Sequence, residues 1–157
     1  MKRSATPSTR SLFDGRVVAV SPAVVSDGRG ALAELVRRSY SPAPLEHIYS
    51  VAVAPGRSRG GHYHKRKHEW FAVVSGECHL ALWDAEKPKR KVVLTVGPRS
   101  ECMVVSIEPG ISHTFTNDNG WQTAIVIAIA SEEYDPAEED TYRLDTLKPR
   151  EGDYHDG

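Results

Sequence analysis

The sequence predicts an all-β fold, an antiparallel sandwich or jelly roll in a single domain. Three observations carry that expectation. Short runs rich in Val, Ile, Thr and aromatic residues recur along the chain, separated by Gly, Pro, Asp and Asn punctuation; this is the rhythm of strands and turns. Outside one possible turn near Pro136 to Asp140, no stretch shows the period of an amphipathic helix. The length, 157 residues, fits one compact domain.

The elements follow in order. Residues 1–11 are rich in Ser, Thr, Pro and Arg and read as a flexible tail. Val17 to Val20 is the first strand, followed by the turn signal Ser26-Asp27-Gly28-Arg29-Gly30 and the run Ala31 to Arg37. Ile48 to Ala54 is β-rich and stops at Pro55-Gly56. Gly60 to Lys65 alternates around two histidines, Trp70 to Val74 is aromatic and β-branched, and His79 to Trp83 resumes after Gly76. Asp84 to Arg90 is a charged hairpin loop. Lys91 to Val96, Met103 to Ile107, Ser112 to Thr116 and Thr123 to Ala130 complete the set. Pro109-Gly110 and Asn117 to Gly120 supply turns. The total is about nine or ten strands in roughly 120 residues. The domain is expected over 12–147, with a second tail over 148–157.

Composition removes several functional classes. Twenty Lys+Arg against twenty-one Asp+Glu give a net charge of -1, so nothing global points to a nucleic-acid or membrane-surface partner. Thr123 to Ala130, the longest apolar stretch, is far short of the roughly 20 residues that span a bilayer. The N-terminus has early cations but no apolar segment behind them, so no signal peptide is read. Cys78 and Cys102 read as small buried thiols in a reducing compartment, and the expected location is cytoplasmic.

One stretch concentrates chemistry: Gly61-His62-Tyr63-His64-Lys65-Arg66-Lys67-His68-Glu69. Alternate residues of a strand share a face, so His62 and His64 point to the same side. Glu69 opens the next apolar run after a short basic turn, and a hairpin would fold it back beside them. Further on, His113 follows the Pro109-Gly110 turn and enters a strand. Three imidazoles and one carboxylate make a donor set suited to a divalent transition metal such as Zn, Fe, Ni or Mn. His47, His79 and His155 read as surface or core histidines, and strand parity prefers Glu69 over His68. Trp70, Phe71, Trp83 and Phe115 read as core aromatics.

The HxH, four residues, Glu, six residues, Gly pattern resembles the first motif of the cupin superfamily, and Pro-Gly-x-x-His-x-x-x-Asn (Pro109 to Asn117) resembles its second. The resemblance implies a single-domain cupin jelly-roll β-barrel with a central pocket. Over roughly Val17 to Leu147 the chain is similar to the C-terminal cupin domain of capsular-polysaccharide nucleotide-sugar enzymes, through GRSRGGHYHKRKHEWFAVVSGE, EPGISHTFTN and SEEYDPAEEDTY. The Arg-Gly-Gly-His-x-His segment resembles dTDP-4-keto-6-deoxyglucose 3,4-ketoisomerases. Asp27 to Gly30 and the Tyr-Asp-Pro run resemble dTDP-4-dehydrorhamnose 3,5-epimerases.

These resemblances imply an epimerase or ketoisomerase that moves protons beside the ketone of a nucleotide-linked 4-keto-6-deoxy sugar, in polysaccharide or glycoside biosynthesis. The capsular enzymes carry a fused reductase domain, so the 157 residues are expected to work without a nicotinamide-dependent step. With a metal bound, His62, His64, Glu69 and His113 are ligands, and Tyr49, Tyr134 or a Lys moves the proton. Without one, His62 or His64 is the base. Arg59, at the presumed barrel mouth, with Lys65 and Lys67, is the candidate contact for the diphosphate of a dTDP- or UDP-linked sugar. The same donor set would also serve a metal-dependent cupin oxygenase, and the pocket a ligand-binding cupin. A homodimer is expected, covering a sheet edge through an N-terminal strand such as Val17 to Val20.

Overall fold

The computed structural model describes residues 2–3, 7–87, 89–118 and 121–144. Fourteen strands run through them: β1 (Lys2–Arg3), β2 (Ser8–Leu12), β3 (Val17–Ser21), β4 (Val24–Asp27), β5 (Gly30–Ala33), β6 (His47–Val53), β7 (Arg57–Tyr63), β8 (Glu69–Ser75), β9 (Cys78–Asp84), β10 (Lys91–Val96), β11 (Val104–Ile107), β12 (Ile111–Asn117), β13 (Ala124–Ala130) and β14 (Tyr142–Arg143). Only two 3-10 turns, Phe13–Gly15 and Arg38–Tyr40, interrupt them among the described residues. No helix there is long and apolar enough to cross a membrane.

Two antiparallel sheets enclose the core. One has six strands in the order β2-β3-β11-β8-β13-β6, the other five in the order β10-β9-β12-β7-β14. This is the expected jelly-roll architecture. A separate three-stranded sheet, β1-β4-β5, stands beside them. Strand alternation builds the interior: Phe71 and Val73 of β8, Leu80 and Leu82 of β9, Val105 and Ile107 of β11, and Val126 and Ala128 of β13 all enter one apolar cluster. Their neighbours Trp70 and Trp83 are 4% and 2% exposed yet lie outside that cluster, on the outer faces. Asn117, the last residue of the second motif, proves to be a structural tie. Its amide donates to the carbonyls of Val53 at 2.8 Å and Gln122 at 2.9 Å.

The structure corrects the sequence reading near the N-terminus. Residues 8–11 belong to a strand, not a tail: β2 pairs with β3 from Ser8↔Ser21 to Leu12↔Val17. Alternation there is weak because four of its five residues are exposed, so no apolar period marks it. Consequently Val17–Ser21 lies between β2 and β11, with both edges paired. It cannot recruit a second chain by edge pairing; the edge strands of that sheet are β2 and β6. The run from Ala31 also ends early, since β5 stops at Ala33. The expected C-terminal tail, residues 148–157, together with 145–147 of the expected domain and His155, lies outside the described residues.

Candidate active site

The two histidine-bearing segments meet because β7 and β12 are hydrogen-bonded neighbours, with His62 and His113 directly opposite each other. His64 follows the end of β7, and Glu69 is the first residue of β8. The Pro109-Gly110 turn is tied to the same place by the Gly110 N–H, which donates to the His64 carbonyl at 2.6 Å. The imidazole centroids of His62 lie 4.7 Å from His113 and 5.1 Å from His64, and those of His64 and His113 are 6.1 Å apart. Glu69 Oε2 stands 3.5 Å from His64 Nε2 and 3.6 Å from His113 Nε2. The floor is aromatic, with the Phe71 ring 4.9 Å from His113 and 5.2 Å from Phe115.

Glu69 Oε2 stands from two imidazole nitrogens at separations that a shared ion would impose, although no group of three or more donors among the described residues is already arranged around one point as a metal site. Two donors bound to one ion at about 2.0–2.1 Å in tetrahedral geometry sit about 3.4 Å apart, close to the separations between Glu69 and its two imidazoles. His64 Nδ1 is hydrogen-bonded to the Asp140 main-chain carbonyl. That leaves Nε2 as the nitrogen facing Glu69, as outer-shell partners do for ligating histidines.

Burial sets the charge states. It pushes His113 down to about 4 and, with help from the His64 charge, lowers His62, so both imidazoles are neutral near pH 7. Burial also works against the Glu69 carboxylate, but His113 and His64 overcome it and hold the group at about 2. For His64, Glu69 and the Asp140 carbonyl outweigh burial, and the net shift is upward. Tyr49 reaches in from β6, donating its hydroxyl to Glu69 Oε1 at 3.3 Å. Burial and the neighbouring carboxylate raise that phenol well above its ordinary value, so it keeps its proton.

A β-bulge decides where Arg59 points. Opposite β12 the register runs His113↔His62, then Thr114↔Gly60, Phe115↔Arg59 and Asn117↔Arg57, leaving Gly61 as the extra residue. Without it, Arg59 and His62, three apart, would face opposite sides. With it, Arg59 and Arg57 share the face of His62 and Phe115, at the exposed end of β7. Sequence reasoning missed Arg143 on the same face: it pairs with His62 across β14, a strand of two residues and too short to show any period.

The other expected residues are spread more widely. Lys65 Nζ lies 4.0 Å over the Tyr142 ring, and the buried Lys67 has its ammonium 5.7 Å from the ring of Tyr134, itself 56% exposed. His68 belongs to the opposite face of the sheet, bonded to Ser106 Oγ at 2.7 Å and stacked on Trp70. That outer face carries a cavity of about 620 Å³, lined by His68, Trp70, Ser106 and Val18. Among its lining groups, His68 bonds Ser106 and Arg37 bonds Glu34, whereas the cluster of three imidazoles and a carboxylate lies on the inner face. Cys78 and Cys102 are buried free thiols, pushed up to about 11 and about 12 chiefly by burial.

Comparison with known proteins places the family and the fold. The polysaccharide biosynthesis C-terminal domain model matches residues 25–142, well over half of the chain. The chain belongs to that family. A curated member, the UDP-2-acetamido-2,6-beta-L-arabino-hexul-4-ose reductase of Pseudomonas aeruginosa, is 32% identical over 118 residues. The match takes in 74% of this chain but 30% of the reductase, so the chain spans under a third of that relative. The capsular polysaccharide assembling protein CapF of Staphylococcus aureus superposes with a TM-score of 0.58 at 27% identity, over 77% of this chain and 33% of CapF. The dTDP-6-deoxy-D-glucose-3,5-epimerase RmlC of Legionella pneumophila, solved with dTDP-4-keto-L-rhamnose, superposes with a TM-score of 0.75 over 88% of this chain and 77% of its own. At 15% identity it establishes the jelly-roll barrel alone.

Proposed function

We propose that the chain is an epimerase or ketoisomerase that acts on a nucleotide-linked 4-keto-6-deoxy sugar by proton abstraction beside the ketone. The observation that carries this reading is the cluster of half-buried His62 with buried His64, Glu69 and His113, the Tyr49 hydroxyl bonded to its carboxylate. Family membership supports it, as does a fold shared with an epimerase that holds a dTDP-4-keto sugar.

Those four residues would hold a divalent transition metal (Zn, Fe, Ni or Mn), which when bound polarises a ketone oxygen and stabilises an enolate. The residues of the chain supply the rest. With no metal on the imidazoles, His62 or His64 would take the proton from the carbon next to the ketone, and its bonding pair stays in the enolate. Returning a proton to the opposite face of that carbon gives the epimer. Returning it to the former carbonyl carbon, as the neighbouring hydroxyl becomes the ketone, gives the isomer. Tyr49, neutral and anchored on Glu69, is placed to give a proton. Phe71 and Phe115 keep the inner end of the pocket dry, which strengthens each electrostatic contact. Arg59, turned to this face by the bulge, suits the diphosphate, with Lys65 and Lys67 on the adjoining turn.

In D₂O, a dTDP- or UDP-linked 4-keto-6-deoxy sugar is expected to gain deuterium at carbon 3 in the presence of the protein, read by mass spectrometry and NMR. Exchange is the better readout because an epimerisation equilibrium can favour substrate. Tyr49→Phe should slow it by about 100-fold, the usual weight of one positioned acid. No uptake by metal-loaded protein with either nucleotide would overturn the reading, and oxygen consumption would then test the oxygenase alternative.

We also propose a cytoplasmic homodimer. The free thiols support the location. For the dimer, the exposed β2 edge and the separate β1-β4-β5 sheet, with Leu32 62% exposed, leave backbone and apolar surface for a second copy. Light scattering at micromolar concentration should give twice the chain mass, and a monomer mass would refute it.

A further inference from the structure

After β13 the chain passes the pocket again and brings Asp140 against the turn that joins β7 to β8. Asp140 is 1% exposed, a costly place for a carboxylate unless its oxygens are fully used. They are. Oδ1 accepts the Lys65 N–H at 3.0 Å, and Oδ2 accepts the N–H groups of Arg66 and Lys67 at 3.0 and 3.2 Å. The main-chain carbonyl of the same residue takes the Nδ1 of His64. One residue, belonging to none of the three strands β7, β8 and β12, therefore holds four successive positions, 64 through 67, of the link between His62 and Glu69.

The His64 contact has a chemical consequence. A carbonyl oxygen can only accept, so His64 Nδ1 must carry the proton of the neutral ring. The lone pair is then on Nε2, the atom 3.5 Å from Glu69 and turned toward the cluster. Of the two neutral tautomers, only this one presents a donor lone pair to the pocket. The three N–H bonds to the carboxylate keep the turn from drifting and hold the carbonyl against the ring. A carboxylate left in solvent would do neither.

We propose that Asp140 is a positioning residue of the site: by clamping the 65–67 backbone with its carboxylate and His64 Nδ1 with its carbonyl, it selects the His64 tautomer and aims Nε2 at the point shared with Glu69 and His113. The effect on metal affinity rests on the reading of that cluster as a metal site. The tautomer does not.

The test uses the full chain labelled with ¹⁵N, metal-free, with the pH raised until the His64 signals stop moving, because its neighbours hold that imidazole above its ordinary value. Long-range imidazole ¹H–¹⁵N correlations should show His64 protonated at Nδ1 and bare at Nε2. In Asp140→Ala the signal should average between the two tautomers, and the near-isosteric Asp140→Asn, which loses an acceptor for at least one N–H, should fall between. Zinc affinity by chelator competition should drop about 10- to 100-fold in Asp140→Ala, the range for outer-shell partners. Arg66→Ala, which cuts the exposed Arg66–Glu132 pair on the same turn, should change neither readout and controls for a merely structural effect. Wild-type His64 protonated at Nε2 overturns the proposal, even where a variant fails to fold. So does a folded Asp140→Ala with unchanged tautomer. A wild type with the expected tautomer but no zinc binding would sink the metal reading and leave the Asp140 assignment standing.

Discussion

The purified chain should carry about one transition-metal ion, and His113→Ala should carry none. His113 is the cluster histidine most deeply enclosed: it is 3% exposed, paired across the ladder with His62 and 3.6 Å from Glu69. Burial holds its imidazole neutral with a pKa near about 4, so its lone pair is available without first losing a proton at pH 7. Outer-shell partners of metal-binding histidines are worth 10- to 100-fold in affinity, and deleting a ligand itself should exceed about 100-fold. It also takes away the imidazole 3.6 Å from the buried Glu69 carboxylate, leaving that group with one polar partner fewer. Glu69→Gln should act in the same direction. His68→Ala should keep the metal, since that ring bonds Ser106 on the opposite face of β8. Elemental analysis, before and after reconstitution with Zn, Fe and Ni, reads all four proteins. An empty wild type after reconstitution would end the metal reading.

Gly60→Ala should be the most damaging small substitution in the site, costing about 3 kcal/mol or more. Two penalties combine. Gly60 has φ +108°, a backbone conformation that L side chains adopt only with strain of order 1–3 kcal/mol. A Cβ there would also sit 2.4 Å from the His113 carbonyl oxygen and 3.1 Å from Thr114 Cα, both backbone atoms of the neighbouring strand. Relief requires β7 to move off β12 at the bulge, which separates His62 from His113 and swings Arg59 off the pocket face. Gly61→Ala is the matched control. It too has positive φ, +77°, but its Cβ would meet open space, so only the conformational part remains, about 1–2 kcal/mol. Urea unfolding midpoints at unchanged slope report the stabilities, and metal content reports the site. Equal losses in the two variants would show that the close approach of β7 to β12 is not what holds the site together.

Some of this was open to inspection in one dimension because it depends on local chemistry. Turn residues and β-branched runs marked the strands from β6 to β13 to within a residue or a few, since each strand's alternation is a property of its own side chains. His62, His64 and Glu69 were legible for the same reason: they lie within eight residues, on a strand and the turn that follows it. Pro109-Gly110 announced His113 as the start of another strand. Three features escaped. β2 was read as tail because four of its five residues face water and carry no apolar signature. Arg143 sits in a two-residue strand whose existence depends on β7 lying alongside. Asp140 is one of six acids between Glu132 and Asp140, and nothing local distinguishes a carboxylate that will receive three backbone N–H groups from one that will receive water.

The sequence by itself determined the strands from β6 to β13, the all-β class and the donor types, because hydrophobic alternation and turn preference act over a few residues. Tertiary structure alone decided which of the donors converge and on which face each charge lies. The reason is parity: strand geometry alternates every residue, so one bulge at Gly60-Gly61 reverses the side on which Arg59 emerges, and its presence is set by the partner strand β12. It likewise decided the His64 tautomer, through a carbonyl 76 residues away in the chain.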